Sequence, residues 1–320
     1  MEPCYLITGA SGFVAAHFLN YLEAQKEVVK VVGIDVVLPL EPNKFQFVQI
    51  QYYVVNLLDA IALKQILTQT NPNFILHLAS FSSVSYSWKN PVESFSNNTN
   101  IFLNLVDQVR QIGLKCRILS VGSSEEYGKV NKADLPLKEN LILHPNSPYA
   151  VARLAQEMMS TVYVDGYGMD IILTRSFNHI GAMQKDVFVI PSLAKQLVLL
   201  KRSGKKNGEI KVGDISVIRD FVDVRDVVRA YDSLLKMGKP GRIYNICSGI
   251  GYSLREILDE MAAQLEMRVS PVVDRSLMRP SENPEIVGSY QLIYDELGWE
   301  PHIKITESLR AILTYWQEKG

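Results

Sequence analysis

The residue types best suited to acid–base chemistry lie in two short segments, Ser123-Ser124-Glu125 and Tyr149 to Arg153. Tyr149 and Arg153 are four residues apart, so on a helix their side chains share one face. A neighbouring cation favours the phenolate form of a tyrosine, and the guanidinium could also bond the ribose of a cofactor. A hydroxyl of Ser123 or Ser124 could share a substrate hydroxyl or carbonyl with Tyr149. This set predicts a site that moves a proton at oxygen while hydride moves at carbon.

A second set of residues, near the start of the chain, is suited to holding a pyrophosphate. Thr8-Gly9-Ala10-Ser11-Gly12 follows a short apolar run and precedes a segment with apolar residues at helical spacing. Glycine lets the backbone come close to phosphates, and the free N–H groups at a helix start face an anion. The pattern predicts a strand, a phosphate-binding turn and a helix. A tight turn between two buried elements is the alternative, because a bare glycine pattern is a weak signal.

An acidic residue, Asp35, ends the next apolar run. It lies about 20 residues beyond the glycine turn, where a dinucleotide fold places a carboxylate beside the adenosine ribose. Such a carboxylate accepts hydrogen bonds from the ribose hydroxyls and repels a 2′-phosphate, so Asp35 favours NAD over NADP, with NADP still possible. Asn56, after the third apolar run, could offer its amide to adenine, although turn formation alone would also explain it.

Composition and charge argue against several classes of function. The chain has 320 residues, 47% of them hydrophobic and 21% charged, with a formal net charge of −1. These values are typical of a globular protein of about two domains and give no case for binding nucleic acid or a membrane. No apolar stretch is long enough to span a bilayer, and no signal peptide is expected. Three scattered cysteines predict a reduced, cytoplasmic protein without a disulfide framework or a metal site.

Strand and helix patterns alternate along the chain, which predicts an α/β fold with a doubly wound parallel sheet, the Rossmann arrangement. We expect residues 1–175 to form the dinucleotide-binding domain, with strand and helix contributions from about 210–247. Residues 176–320 are expected to form most of a smaller, interleaved C-terminal α/β lobe for the substrate.

Three local predictions follow from the spacing of apolar and polar residues. A long helix is expected over 91–111, and its predicted inner face consists of Phe95, Asn98, Phe102, Leu105, Val106 and Val109. The basic stretch over 201–208 is most simply a solvated loop. His77, isolated in an apolar strand, is predicted to be a packed core histidine rather than a ligand or a base.

Several polar segments lie where the predicted strands end. They are the glycine turn, Asp35, Ser80, Ser123-Ser124-Glu125 and Ser176 to His179. Parallel α/β sheets bind ligands at the carboxyl ends of their strands. These segments are therefore expected to converge on one ligand cleft, and the convergence is stronger evidence than any one motif.

The segments that carry a family resemblance are T-G-A-S-G-F-V (8–14), Asp35, L-H-L-A-S (76–80), S-S-E-E-Y-G (123–128), S-P-Y (147–149), R-S-F-N-H-I-G (175–181), R-D-F-V-D-V-R-D (219–226) and R-P-S-E-N-P-E-I-V-G-S (279–289). With them the chain resembles the extended short-chain dehydrogenases/reductases, in the group of nucleotide-sugar epimerases, dehydratases and reductases. The resemblance runs nearly from end to end. The last two segments are the most specific and are similar to the GDP-mannose branch, above all to its reductases of GDP-4-keto-6-deoxymannose.

The resemblance implies a role for each matching residue. Tyr149 would be the general acid, and Ser123 and Ser124 would position the sugar oxygen. Glu125 stands where a dehydratase keeps a base. The implied cofactor contacts are Gly9, Ser11, Gly12, Phe13, Val14, Asp35, Asn56, Leu57, Leu78, Ala79, Ser80, Tyr149 and Arg153. The implied contacts to the nucleotide-sugar are Ser124, Asn178, Val189, Lys195, Lys211, Arg219, Arg279 and Glu282.

Physical chemistry agrees with these assignments, because arginine forks suit a diphosphate and a carboxylate suits a ribose. Taken without the resemblance, Arg279 and Glu282 would more simply form a surface ion pair. The sequence also departs from the family pattern, which has lysine four residues after the tyrosine where this chain has Arg153. Arginine keeps the positive charge, but its planar fork cannot copy an ammonium that reaches both ribose hydroxyls.

The resemblance implies NAD(P)H-dependent reduction of a nucleotide-linked 4-keto-6-deoxy sugar at C4, with GDP as the expected nucleotide. Two alternatives remain. One is a GDP-sugar 4,6-dehydratase or epimerase that uses bound NAD and Glu125 as base. The other is a cofactor-binding protein with weak or no turnover, because the lysine position holds Arg153. The family also implies a homodimer through a four-helix bundle of the helices near 91–111 and 147–166, although a face packed within one chain would look the same.

Overall fold

The structure, a computed structural model, describes residues 2–39, 44–278 and 283–319. Thirteen strands and ten α-helices lie in these ranges, with three short 3₁₀ turns. The strands are β1 (Cys4–Thr8), β2 (Val29–Asp35), β3 (Val48–Val54), β4 (Phe74–His77), β5 (Arg117–Ser123), β6 (Asp170–Ser176), β7 (Asn178–Ile180), β8 (Asn207–Val212), β9 (Ile218–Asp223), β10 (Ile243–Ile246), β11 (Gly251–Ser253), β12 (Arg268–Val273) and β13 (Glu285–Ile286). The helices are α1 (Phe13–Ala24), α2 (Ala60–Thr70), α3 (Val84–Lys89), α4 (Pro91–Gln111), α5 (Pro148–Tyr167), α6 (Val189–Arg202), α7 (Val224–Met237), α8 (Leu254–Gln264), α9 (Gln291–Leu297) and α10 (Ile305–Lys319).

Seven strands form one sheet in the order β10-β6-β5-β4-β1-β2-β3. Every neighbouring pair in this sheet is parallel. The order reverses between β1 and β4, which creates the crevice where such sheets bind ligands. This topology confirms the doubly wound Rossmann fold expected from the sequence.

Helices cover both faces of the large sheet, and β1 shows how the sequence achieves this. Successive strand residues point to opposite faces, so Tyr5 and Ile7 pack in one core while Cys4 and Leu6 pack in the other. Helices α1 and α7 contribute to the first core. Helices α2, α4 and α5 contribute to the second. A strand covered on both faces must be apolar at nearly every position, as β1 is.

The remaining strands form two small sheets beside the large one. Strand β9 pairs with β7, β11 and β13, and β8 pairs with β12. Helices α6, α8 and α10 pack there around a separate apolar core. Strand β10 and helix α7, in contrast, belong to the large sheet and its covering layer. The chain therefore leaves the large sheet after β6 and returns to it before finishing the smaller lobe.

Two local predictions from the sequence are wrong. Phe95 does not lie on the inner face of α4, because 40% of its surface is exposed. The inner face instead follows Ser94, Asn98 and Ile101, which are buried at helical spacing. The basic stretch 201–208 is not wholly a loop, because α6 continues to Arg202 and β8 begins at Asn207. Basic residues are favourable in the last turn of α6, where they face the negative end of the helix dipole.

Candidate active site

The glycine turn after β1 lies against the loop after β4. Gly9 has a φ of +69°, and a Cβ atom there would lie 2.9 Å from the backbone nitrogen of Ala79. A side chain at this position would be strained and would collide with backbone, so glycine is required. The Gly9 amide donates to the Ile34 carbonyl at 2.9 Å, which fixes the turn against β2.

The start of α1 fits the pyrophosphate of a dinucleotide. The helix begins at Phe13, and Gly12 before it has no side chain that could cap it. The first four residues of the helix are uncharged, so its first N–H groups and the positive end of its dipole meet no competing carboxylate from that turn. Anions bind at such helix starts. Gly9, Ser11, Gly12, Phe13 and Val14 all lie in this segment.

Asp35 lies at the carboxyl end of β2, beside the glycine turn. Its Oδ2 accepts a hydrogen bond from the Ser11 amide at 2.9 Å, and its Oδ1 accepts one from the Val36 amide at 2.7 Å. The Ser11 hydroxyl donates to the Val37 carbonyl at 2.7 Å. Two backbone N–H groups therefore hold the carboxylate where a dinucleotide fold receives the adenosine ribose.

Two polar side chains shape the loop after β4. The Thr8 hydroxyl oxygen accepts hydrogen bonds from the Leu78 and Ala79 amides at 3.1 and 3.2 Å. Asn98, on α4, accepts from the Phe81 amide at 2.8 Å and contacts the Ser80 hydroxyl at 3.3 Å. The loop that includes Leu78, Ala79 and Ser80 is thus held from both sides.

His77 is fully buried at the end of β4, as the sequence predicts for a core histidine. Its Nδ1 lies 2.9 Å from the Thr8 hydroxyl. Burial, with a smaller effect of the nearby Arg153 charge, lowers the pKa of His77 to about 3. The imidazole is therefore neutral at physiological pH.

The predicted adenine contacts lie after β3. Asn56 Oδ1 accepts a hydrogen bond from the Leu58 amide at 2.9 Å, so the side chain also forms the turn that the sequence offered as an alternative. Leu57 is buried, and its carbonyl accepts a hydrogen bond from the Asn104 side chain of α4. The turn is therefore anchored to the second core of the large sheet.

Tyr149 and Arg153 lie on one inward face of α5, as their spacing predicts. The Arg153 Nε donates to the Tyr149 hydroxyl at 3.2 Å, and the guanidinium carbon lies 5.3 Å from the centre of the tyrosine ring. Both side chains are buried, with 6% of Tyr149 and 5% of Arg153 exposed. Ser147 starts the helix, because its hydroxyl accepts from the Ala150 amide at 3.1 Å.

The segment after β5 folds as a tight 3₁₀ turn over Ser124–Tyr127. The Ser123 hydroxyl accepts from the Glu125 amide at 3.2 Å, and the Glu126 Oε1 accepts from the Ser123 amide at 2.6 Å. This reciprocal capping fixes Ser123, buried Ser124 and half-buried Glu125 at the carboxyl end of β5. Strand β5 is also the neighbour of α5, so the turn and Tyr149 lie at the same edge of the sheet.

A buried charge cluster supports this turn from behind. Arg175 donates to both carboxylate oxygens of Glu157, at 2.8 and 2.9 Å, and Glu157 lies near the fully buried Glu126. Burial, and then the Glu157 charge, raise the pKa of Glu126 well above its ordinary value. Glu126 therefore holds its proton more strongly than an exposed glutamate does.

The carboxyl end of β6 meets the glycine turn. The His179 ring stacks on Phe13 of α1, with 5.8 Å between ring centres. Asn178, one residue earlier, donates to the Asp220 carbonyl of β9 at 3.4 Å. Residues of the large sheet and of the smaller lobe therefore border one cleft.

The other residues predicted to bind the nucleotide-sugar are more widely spread. Val189 is the first residue of α6. Lys195 forms an ion pair with Asp186 at 2.6 Å and lies over the ring of Trp316. Lys211 is exposed on β8, and Arg219 on β9 donates to the Ile218 carbonyl at 2.8 Å. Arg279 and Glu282 lie outside the described residues.

The sequence reasoning missed several polar residues that organise the site. Thr8 and Asn98 hold the loop after β4, and Gln156 on α5 accepts a hydrogen bond from Arg153 at 2.7 Å. Asn98 and Gln156 are polar side chains on the buried faces of α4 and α5. A polar residue at a position that helical spacing predicts to be buried is the signal that could have identified them.

The described part of the chain contains no group of three or more histidine, cysteine, aspartate or glutamate side chains that could hold a metal ion. None of the helices in the described ranges is long and apolar enough to cross a membrane.

Comparison with known proteins agrees with this geometry. A sequence model of the family described as GDP-mannose 4,6 dehydratase matches residues 6–312. GDP-6-deoxy-D-mannose reductase of Pseudomonas aeruginosa is 36% identical over 319 residues, which cover 100% of this chain and 99% of that protein. The structure of RMD from Pseudomonas aeruginosa complexed with NADPH has a TM-score of 0.86 and 35% identity, over 100% of this chain and 99% of that one. UDP-glucose 4-epimerase of Thermus thermophilus in complex with NAD has a TM-score of 0.83 and 26% identity, over 99% of this chain and 100% of that one.

The parallel sheet, the glycine turn and these relatives show an enzyme of the short-chain dehydrogenase/reductase class, in the group of nucleotide-sugar epimerases, dehydratases and reductases. The family model matches residues 6–312, so nearly the whole chain supports a narrower assignment within this class. The chain belongs to the GDP-mannose 4,6-dehydratase family.

Proposed function

We propose that the protein is an NAD(P)H-dependent reductase of a GDP-linked 4-keto-6-deoxy sugar, acting at C4. The observation that carries this proposal is the buried Tyr149 hydroxyl, held by the Arg153 cation at the edge of the sheet where the glycine turn also lies. Similarity over the full chain to a GDP-6-deoxy-D-mannose reductase supports the choice of substrate.

The chain's own residues account for the proton. Tyr149 donates its hydroxyl proton to the carbonyl oxygen at C4 of the sugar, which becomes a hydroxyl group. The Arg153 cation, 3.2 Å from the phenol oxygen, stabilises the phenolate that remains, and solvent returns the proton. A reduced nicotinamide, when bound, supplies the hydride that the carbonyl carbon receives. Ser123 and Ser124, fixed by their 3₁₀ turn, orient the sugar oxygen.

Asp35 supports NADH as the preferred form of the cofactor. Its carboxylate is held beside the glycine turn by two backbone N–H groups, so its charge stays where a 2′-phosphate would approach. Phosphate and carboxylate repel each other, whereas a ribose hydroxyl donates to the carboxylate. The similar reductase structure holds NADPH, so the preference for NADH is proposed for the present chain from Asp35 alone.

The nucleotide-sugar is assigned to the cleft between the large sheet and the smaller lobe. Asn178, Arg219 and Arg279 are assigned to the diphosphate, and Glu282 is assigned to the ribose of the nucleoside. Val189, Lys195 and Lys211 are assigned to the base. Ser124, at the end of β5, is the contact nearest the reacting sugar.

A second candidate is dehydration at C4 and C6 of a GDP-sugar. The family model that matches is that of a 4,6-dehydratase, and Glu125 stands half-buried beside Ser124, where a base for removal of the C5 proton would be needed. Purified protein separates the two activities. Loss of NADH absorbance with a GDP-4-keto-6-deoxy sugar supports the reductase. Dehydration of GDP-mannose without added cofactor, and no NADH consumption, would contradict it.

A homodimer is part of the proposal. An apolar groove of about 590 Å³ runs between α3, α4 and the start of α5, lined by Trp88, Val92, Phe95 and Val151. Further along α5, Met158 and Val162 are 62% and 54% exposed. Covering these side chains with α4 and α5 of a second copy would form a four-helix bundle.

The three cysteines are free thiols, which suits a reducing compartment such as the cytoplasm.

A further inference from the structure

Arg153 is a buried cation whose partners are neutral. Its Nη1 donates to the Val121 carbonyl at 3.1 Å and to the Gln156 Oε1 at 2.7 Å, and its Nε donates to the Tyr149 hydroxyl. No ion pair within the described part of the chain includes Arg153. A buried charge without a counter-ion is costly unless hydrogen bonds hold it. These three contacts are therefore central to the stability of the guanidinium in this position.

The orientation of Gln156 is fixed by the other side of its amide. Its Nε2 donates to the Ser120 hydroxyl at 2.9 Å and to the Val121 carbonyl at 3.2 Å. The Ser160 hydroxyl lies 3.1 Å from that of Ser120. All these side chains are buried. Because the amide nitrogen faces β5, its oxygen must face Arg153.

This network determines where the Arg153 Nε points. A guanidinium is planar and rigid, so fixing Nη1 against Gln156 and Val121 also fixes the direction of the Nε–H toward Tyr149. An ammonium group rotates freely and has no such coupling between its donors. A glutamine three residues after the cation therefore has a purpose here that it would lack beside a lysine.

We propose that Gln156 is a positioning residue for proton transfer at Tyr149, and that Arg153 and Gln156 act as a pair in place of the single lysine of the family pattern. The proposal rests on the reductase function proposed above and deepens it. Without Gln156, Arg153 keeps its charge but loses the acceptor that aligns its Nε with the phenol oxygen.

Four titratable side chains face Arg153. They are His77 from β4, His179 from β7, Tyr231 from α7 and Tyr149 from α5 itself. Burial lowers the pKa of His77 to about 3 and that of His179 to about 4, and burial raises the pKa of Tyr231. None of these three groups therefore adds a charge beside Arg153 near neutral pH.

The first test is Gln156→Met, which keeps the length of the side chain and removes its polar atoms. We expect kcat to fall about tenfold, with KM for NADH and for the GDP-4-keto sugar nearly unchanged. Gln108→Met, at a buried glutamine of α4, is the matched control and should change neither kcat nor KM.

The second test measures the coupling between Gln156 and Arg153 from the free energy of unfolding, without an activity assay. Unfolding is compared for Gln156→Met, Arg153→Met and the double variant. Gln156→Met should destabilise the wild-type background more than the Arg153→Met background, where the amide keeps its bonds to Ser120 and Val121 but has no cation to hold. Additive effects would overturn the pairing. An unchanged kcat in Gln156→Met would overturn the positioning role. A wild type without turnover would instead overturn the proposed reductase, and the catalytic role of Gln156 with it.

Discussion

Tyr149 is the residue on which the proposed chemistry depends, because its hydroxyl is the proton donor and Arg153 is its hydrogen-bond partner. Tyr149→Phe removes one oxygen atom and leaves the aromatic ring beside Arg153. We expect kcat to fall by about 10²- to 10⁴-fold, the usual contribution of general acid catalysis. Binding of NADH, measured by fluorescence titration, should be retained. Undiminished turnover would rule out Tyr149 as the acid.

Asp35 should control the choice between NADH and NADPH. Asp35→Asn keeps an acceptor for the Ser11 amide and removes the negative charge that opposes a 2′-phosphate. The ratio of kcat/KM for NADPH to that for NADH should rise about tenfold, equivalent to about 1.4 kcal/mol. Asp59→Asn, at the start of the next helix, is the control, and its ratio should match the wild type. The same rise in both variants would contradict the assignment.

Glu126 should make stability depend on pH. Its pKa is raised in the folded protein, so the fold retains a proton that the unfolded chain releases above its ordinary pKa. Stability from this group is present at low pH and is lost as the pH rises toward the folded pKa. Glu126→Gln is neutral at every pH and should gain on the wild type between pH 5 and 8, by at most about 1.4 kcal/mol per pH unit.

Chemical denaturation at several pH values measures this difference in the free energy of unfolding. Glu318→Gln, on the exposed end of α10, is the control and should follow the wild type. A constant difference between Glu126→Gln and the wild type across the range would show that Glu126 is ionised in the fold.

A role that depends on a residue nearby in the sequence could be predicted, whereas a role that depends on a residue far away in the sequence could not. The spacing of Tyr149 and Arg153 on one helix was enough to bring them together. Gln156 owes its role to Ser120 and Val121, which lie on a strand about 35 residues earlier and whose approach only the fold reveals. Glu126 likewise depends on Glu157, on another element.

At the scale of elements, α5 has two separate roles. Its inner face carries Tyr149, Arg153 and Gln156, and its outer face carries the exposed Met158 and Val162. Because the two faces are distinct, changes on the outer face should separate assembly from chemistry. One helix thus links the reaction site to the proposed subunit contact.

The outer face of α5 gives a direct test of the dimer. Met158→Glu combined with Val162→Glu would place two carboxylates in an apolar contact, and burying them there is costly. The mass measured by light scattering should fall from that of two chains to that of one. Ile61→Glu, at the start of α2, changes an apolar residue that is still more exposed, at 75%, and should leave the mass unchanged. A dimer that survives the double substitution would place the contact elsewhere.

The bounds of α4 were predicted well, because the proline at its start and the apolar periodicity along it agree. The inner face of α4 was the exception. Phe95 is apolar, and its type favoured burial, but it faces the apolar groove beside Trp88 rather than the sheet. Hydrophobic periodicity cannot tell a surface that packs on its own domain from one that is left for a partner.

At the scale of the molecule, the sheet order explains why residues from distant parts of the chain share one cleft. Parallel strands place the turns after β1, β2, β4, β5 and β6 at the same edge. The sequence predicted this edge because the strand ends were recognisable. It could not predict the arrangement of the small sheets, whose strands are short and pair across up to about 70 residues.

The return of the chain to the large sheet has a consequence for how the protein is made. Tyr5 and Phe18 belong to a core that is completed by α7, more than 200 residues later. At a synthesis rate of about 5 to 20 residues per second, that separation takes roughly 10 to 40 seconds. For this interval one face of the nascent sheet lacks the part of its cover that α7 supplies. A chaperone that shields apolar surface would therefore act on this chain before residue 224 is translated.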